Sequence, residues 1–369
     1  MLYSGHMEPA WSENWQCLKR FLPAGWEDMA RTTGAWRRAP RSLPSTEVLL
    51  RVLLIHLADG CSLREAVVRA KQGGLADISD VALFKRLRAA GEWLRWMAVE
   101  MLRRWDAPCA PPAWLEGRRV RVVDATVVCE PGSTGTDWRV HYSLGLYGLQ
   151  CDEFHLTGPK VGESFARFQV SPGDLMLGDR AYGHLKGFRH VLSHEGHFLT
   201  RLKNKAFSLR DVSGTVLSLA ELVKPLEVGQ AGDWALFGQA KGQEDLPLRI
   251  CAMRLSEEAA AQSVRRAQKE LSKKQHSLDP ETLALHRYVI LATSLPNAIS
   301  ASQIFELYRA RWQVELAFKR LKSILGLGCL PKEEDESAKA WLHGKLLVSC
   351  LAQAVVEEGR TFSPWGYPI

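Results

Sequence analysis

The fifteen residues YRARWQVELAFKRLK, from Tyr308 to Lys322, constrain the fold of this chain more than any other stretch. Leu307, Ala310, Val314, Ala317, Leu321 and Leu325 recur at steps of three and four, the spacing of a core-facing helical stripe. Beside that stripe runs a second line, Tyr308, Arg311, Glu315 and Lys322. At roughly 100° per residue these four fall within a sector of about 60°. The polar line borders the apolar stripe instead of opposing it, so the spacing predicts one helix whose edge meets a sheet. A surface helix with an i, i+4 ion pair between Arg311 and Glu315 gives the same pattern. The functional reading rests on the kit of groups offered. One carboxylate, two cations and a phenol suit the holding of a metal and a phosphate chain.

Two Asp residues belong to apolar runs upstream. Asp124 lies in the middle of RRVRVVDATVV, and Asp179 ends the run in GDLMLGDRAY. Both runs read as buried strands. Burying a carboxylate among Val side chains is costly, so Asp124 needs a partner cation of some kind; an Arg is the plain structural answer. A third carboxylate on a helix, Glu315, is what such a pair would need to grip an ion.

The order Tyr308, Arg311, Glu315, Lys322 resembles the signature of DDE transposases of the insertion-sequence type, in the branch marked by those four residue types. VVDATVV and LMLGDRAY resemble the other two carboxylate motifs, in the right order, and ATSLP before IFELYRARWQVE resembles the run-up to the Glu helix. The likeness covers roughly residues 118–327. One departure is Ala181, where the family more often has Gly. The resemblance implies an α/β chain with a ribonuclease-H-like catalytic core, a β-rich insertion and an N-terminal helical DNA-binding domain. It implies Asp124, Asp179 and Glu315 as catalytic metal ligands for two Mg²⁺ ions, with Mn²⁺ able to substitute. Asp124 would bridge both ions, with Asp179 and Glu315 serving one each.

With 369 residues, the chain is long enough for two or three domains. A net charge of +7 leans towards a polyanionic partner. Eight Cys form no CxxC pair, which argues against a zinc knuckle and for reduced thiols in a cytosol. No apolar run is long enough to span a bilayer, and the resemblance implies a bacterial cytoplasmic, nucleoid-associated protein. No GxxxxGK[ST] is present, so chemistry on DNA would have to run without nucleotide hydrolysis.

Five segments are expected in chain order: 1–110 helical and DNA-binding, 118–205 the first part of the core, 206–285 the insertion, 286–330 the second part with the Glu helix, and 331–369 a closing helix and tail. In the first, Ser45 or Thr46 opens a helix that closes near Gly60. Ser62 caps another, Gly73-Gly74 break it, and Ser79 caps the next, which carries Lys85, Arg86 and Arg88. That outline is a helix-turn-helix, and equally a plain helical bundle. The insertion alternates polar and apolar residues and ends in a basic helix with Arg265, Arg266 and Lys269. Such a run is either a solvated face or a rail along a phosphate backbone. Trp234 is the insertion's one Trp, and the resemblance offers it as a platform for a flipped base.

Cleaving a phosphodiester and joining its 3′ end elsewhere is an in-line displacement at phosphorus, which two metal ions can assist at both oxygens. Hard oxygen ligands suit Mg²⁺. Arg311 and Lys322 suit phosphate contacts, and Tyr308 can stack on a base or donate to a phosphate. The expected partners are double-stranded DNA, as element ends and as target, and a second copy of the chain in the DNA complex. Two alternatives stand beside this reading: a structure-selective nuclease of the same fold, and an inactive domesticated DNA-binding regulator.

Overall fold

A computed structural model describes residues 11–37, 43–103, 111–115, 117–130, 137–240, 242–274, 279–323, 326, 330 and 334–361. The first part is helical: α1 (Trp11–Lys19), α2 (Trp26–Thr32), α3 (Thr46–Asp59), α4 (Leu63–Gln72), α5 (Asp80–Ala89) and α6 (Gly91–Leu102). Three of these start on a Ser whose hydroxyl accepts a backbone N–H: Ser45 from Val48, Ser62 from Glu65 and Ser79 from Ala82. α3 ends at Gly60, whose φ of 67° suits a residue without a side chain. Trp93 is fully buried, stacked on Trp26 at 5.9 Å, and donates through its indole N–H to the Trp26 carbonyl.

The second part is built on strands. β1 (Arg119–Val128), β2 (Trp138–Gly145) and β3 (Gln150–Thr157) form an antiparallel meander, followed by β4 (Asp174–Gly178), α7 (Leu185–Ser193) and β5 (His197–Arg201). β6 (Ser208–Arg210), β7 (Val216–Leu217), α8 (Leu219–Val223), β8 (Ala231–Gln239) and β9 (Leu246–Arg254) come next. Then follow α9 (Glu257–Lys274), α10 (Pro280–Leu285), β10 (Tyr288–Thr293), α11 (Ala301–Arg309), α12 (Gln313–Ser323) and α13 (Asp335–Thr361). Among the described residues ten strands form one sheet in the order β3-β2-β1-β4-β5-β10-β9-β8-β6-β7. β1, β4 and β5 run parallel, and β10 pairs antiparallel with both β5 and β9. The alternating segment read as an interruption therefore extends the same sheet, with β10 as the joint.

Alternation along β1 sends Val120 and Val122 to one face and Val123 to the other. On the first face one apolar cluster runs unbroken from Leu53 and Trp93 through Leu347 of α13 to Val122, Val314 and Phe318. The helical part is thus packed directly onto the sheet. α13 supplies the bridge by lying against α3, α5 and α6. The approach is close: a Cβ on Gly344 would lie 2.5 Å from a Leu57 methyl group, so only Gly fits. On the opposite face Phe188 of α7 stacks on Phe198 of β5 at 3.9 Å. Burial of each ring contributes roughly 2–3 kcal/mol.

The stretch from Tyr308 to Lys322 is not the single α-helix its spacing predicts. α11 stops at Arg309, Ala310–Trp312 form a 3-10 turn, and α12 begins at Gln313. A 3-10 residue turns by about 120° and not about 100°, so three of them rotate the side chains of α12 by roughly 60° about the helix axis. The polar line is split accordingly. Tyr308 and Arg311 are half-buried, while Glu315 and Lys322 are exposed. Ser300 opens α11 with a reciprocal capping box to Gln303, not the helix that carries Glu315. VGESFARFQV holds the 3-10 turn Phe165–Arg167. Leu325 and the side chain of Leu321 lie outside the described residues.

Candidate active site at the carboxyl ends of the parallel strands

Strand register brings the two Asp residues together. β1 pairs with β4 from Arg119 opposite Asp174 to Val122 opposite Leu177. Continued by two residues, that register sets Asp124 beside Asp179, just past the carboxyl end of β4. Parallel strands lie about 4.8 Å apart, so the two carboxylates share one small region. β5 pairs with β4 up to Thr200 opposite Gly178, and one further step sets Arg201 beside Asp179. The carboxyl ends of parallel strands are where α/β sheets open a crevice.

Each Asp is fixed locally. Asp124 accepts the N–H of Ala125 at 2.8 Å. Asp179 accepts the N–H of Ala181 at 2.7 Å as cap of the 3-10 turn Arg180–Tyr182, and its carbonyl accepts from Thr200 Oγ1 at 2.6 Å. Burial drives the Asp124 carboxyl up to about 7. The negative charges of Asp179 and Glu163 act in the same direction, and the Ala125 N–H and Arg311 act against it. Arg121, three residues before Asp124, is not its partner. It is buried against Asp152 at 2.9 Å, Glu153 at 2.6 Å and Asp174 at 3.2 Å.

The helical pair α11–α12 docks over this end of the sheet. α12 lies along β1, with Phe318 5.5 Å from the Tyr142 ring. Burial opposes the charge on Arg311, yet its bond to Glu315 and the charges of Tyr308, Glu315 and Asp124 hold its proton more tightly than usual. Arg311 therefore stands between Asp124 and Glu315. Burial raises the Tyr308 phenol, whose charged neighbours are Arg311, Arg201, Asp179 and Arg180. Glu315 itself is ion-paired to Arg311 with its side chain 57% exposed. Lys322 is exposed near the end of α12.

Sequence reasoning missed three groups here. Glu163, before β4, is raised by burial and then by the charge of Asp179. Arg201 is lowered to about 10 by burial and by neighbouring Arg180. Tyr182 is completely buried, with a hydroxyl that meets no hydrogen-bond partner. None of the three had a usable sequence signal, since Arg201 reaches the site only through the β4–β5 register. Arg180 and Arg201, with Lys203 and His286, line a cavity of about 260 Å³ beside Asp179.

The donor set of Asp124 and Asp179 is all hard oxygen. That pair fits a hard divalent cation. Among the described residues no three His, Cys, Asp or Glu side chains stand close enough together to hold a metal, because Glu315 is turned to Arg311.

The remaining candidates lie elsewhere. Lys85, Arg86 and Arg88 on α5 line a cavity of about 630 Å³ with Thr33, Gly34 and Arg37. Within it Arg88 pairs with Glu334 and Glu336, and Arg86 lies over the Trp36 ring. Arg265, Arg266 and Lys269 are exposed on α9. Trp234 is half-buried on β8, folded over Gly232. Among the described residues no helix is long and apolar enough to cross a membrane.

Residues 160–351 match the family model described as "Transposase DDE domain", a span that includes Asp179 and Glu315. The transposase for insertion sequence element IS421 of Escherichia coli is 32% identical over 361 residues, 95% of this chain and 96% of that protein. The transposase for IS1151 of Clostridium perfringens is 25% identical over 50% of this chain and 42% of its own length. That for IS231F of Bacillus thuringiensis subsp. israelensis is 25% identical over 66% and 57%. The chain, a transposase enzyme, belongs to the DDE transposases of insertion sequences.

Proposed function

We propose that this chain cuts DNA at the ends of its element and transfers the freed 3′-hydroxyl to target DNA, by a cut-and-paste route that can pass through hairpin ends. The observation that carries the reading is the alignment of Asp124, midway along β1, with Asp179 just past the carboxyl end of β4, under a docked helical pair that bears Arg311 and Glu315. Strand order β3-β2-β1-β4-β5, with β2 antiparallel, supports a ribonuclease-H-like core.

Bound among these carboxylates, a pair of Mg²⁺ ions would supply the positive charge that activates the entering oxygen and steadies the leaving one. Asp124 and Asp179 are each fixed by a backbone N–H group and stand side by side in strand register. Glu315 is the movable member. Arg311 has a planar fork that suits phosphate as well as carboxylate. When Arg311 turns to a DNA phosphate it releases Glu315 towards the pair. Arg201 and Tyr308 flank Asp179 and suit the contacts that hold the strand in line. Lys322, farther along α12, suits a more distant phosphate. Lys85, Arg86 and Arg88 belong to an N-terminal surface that grips the element's ends; Arg265, Arg266 and Lys269 follow the backbone beyond the cut. Trp234 is assigned a flipped base. A dimer pairs the two ends.

The test is a single-turnover reaction with one donor end, a target plasmid and Mg²⁺. Joined product supports transposition. Cleavage with no joined product would reduce the protein to a nuclease.

A further inference from the structure

The segment between β3 and β4 is pinned against the turn after Asp179. Arg139 of β2 donates to the Val161 carbonyl at 3.1 Å and comes within 3.9 Å of Glu163 Oε1. His184 Nε2 lies 3.2 Å from the Glu163 carbonyl. The buried Phe165 ring stands 5.1 Å from the Tyr182 ring. These contacts bring Glu163 to the end of the sheet where Asp124 and Asp179 lie. Tyr182 lies near all three, with Asp124, Glu163, Asp179 and Arg139 as its charged neighbours.

The Tyr182 hydroxyl is the unsatisfied member of this group. The residue has no solvent exposure, and the hydroxyl has no hydrogen-bond partner among the described residues. A buried hydroxyl in that state costs free energy that a Phe would not. The carboxylates of Asp124, Glu163 and Asp179 lie near Tyr182 but beyond direct bonding distance of its hydroxyl, and water can bridge a gap of that kind. Mg²⁺ binds few carboxylates and keeps several of its waters, so its site needs hydrogen-bonding groups one step out.

We propose that Tyr182 and Glu163 form the outer wall of the cation site, holding by hydrogen bonds the waters that a hydrated divalent cation keeps between Asp124 and Asp179. The inference rests on the reading of that Asp pair as a cation site. Glu163 accepts from such a water, and Arg139 holds its carboxylate in place. Tyr182 provides the second hydrogen bond. Both are positioning residues that act through water.

The test uses the full chain without DNA and Mg²⁺ alone, titrated by calorimetry, with the melting temperature in EDTA as a second readout. Glu163→Gln and Tyr182→Phe should each weaken Mg²⁺ binding by about tenfold or more. The metal-free melting temperature should hold in the first and hold or rise in the second. Glu163→Asp should recover part of the affinity. Asp124→Asn is the control and should bind no Mg²⁺. Wild-type affinity in both Glu163→Gln and Tyr182→Phe, with Asp124→Asn inert, would overturn the outer wall and leave the Asp pair standing. A fall in metal-free melting temperature without loss of affinity would likewise make Tyr182 a packing residue only. Wild-type affinity in Asp124→Asn would overturn the cation site itself.

Discussion

Replacing Asp124 with Asn should stabilise the metal-free protein and remove its response to divalent cations. Burial, helped by the charge of Asp179, takes the Asp124 carboxyl from its ordinary 3.8 to about 7. That is about three pH units at about 1.4 kcal/mol each, or roughly 4 kcal/mol as an upper figure. Asp124 is only partly buried by surface area, so water relieves some of the cost and roughly 2–4 kcal/mol is the working range. Proton counting sets the sign. Between about pH 4 and 7 the folded protein holds a proton at Asp124 that the unfolded chain has lost, so stability falls as pH rises through that window and stays lowered above it. Asn carries no charge and escapes this loss. Denaturant unfolding in EDTA should show variant and wild type nearly equal at pH 4 and the variant roughly 2–4 kcal/mol more stable at pH 8. Glu163 is raised in the same direction and is common to both proteins, so it enters the difference only through its repulsion of Asp124, which is part of the Asp124 shift. Mg²⁺ at a hundredfold excess over its Kd should then add about 2.7 kcal/mol to the wild type and nothing to the variant. A variant no more stable than wild type at pH 8 in EDTA would refute the reasoning.

Changing Lys85, Arg86 and Arg88 together to Ala should weaken binding to element ends and flatten its salt dependence. The log–log slope should fall by about two, since each phosphate contact contributes about 0.9 and Arg88 is already engaged by Glu334 and Glu336. Unchanged end binding at a fixed salt concentration would reject that surface. Arg311→Ala should weaken end binding, while Arg311→Lys, which keeps the charge but not the fork, should restore only part of it in a gel-shift titration. Arg121→Ala strips the buried partner from Asp152, Glu153 and Asp174 and should cost about 3–5 kcal/mol in denaturant unfolding. A cost below about 1 kcal/mol would show that those carboxylates find other partners.

The two Asp residues were legible because each belongs to an apolar run that reads as a buried strand, and the α11–α12 stretch because its stripe repeats at helical steps. Helix caps at Ser45, Ser62 and Ser79 were legible for the same local reason. Whatever depends on register or on distant packing was not. Glu163 is a lone acid in an irregular segment, and only Arg139, His184 and the Phe165–Tyr182 contact bring it to the site. Tyr182 stood inside a recognised motif, but its lack of a partner is a property of the folded surroundings. The 3-10 turn at Ala310–Trp312 escapes a period count, since the same residues serve either helix type. Nothing in the alternation of β8 and β9 says that β10 will join them to the β1–β5 sheet.

The central claim is that Asp124, Asp179 and Glu315 act together in metal-dependent strand cleavage. Its most direct test is a single-turnover cleavage assay on an element-end duplex in Mg²⁺, with Asp124→Asn, Asp179→Asn and Glu315→Gln beside the wild type and end binding measured in parallel. The account predicts cleavage by the wild type and none by the three variants, with end binding largely intact in all four. Full cleavage by any one variant would contradict it and remove that residue from the metal site.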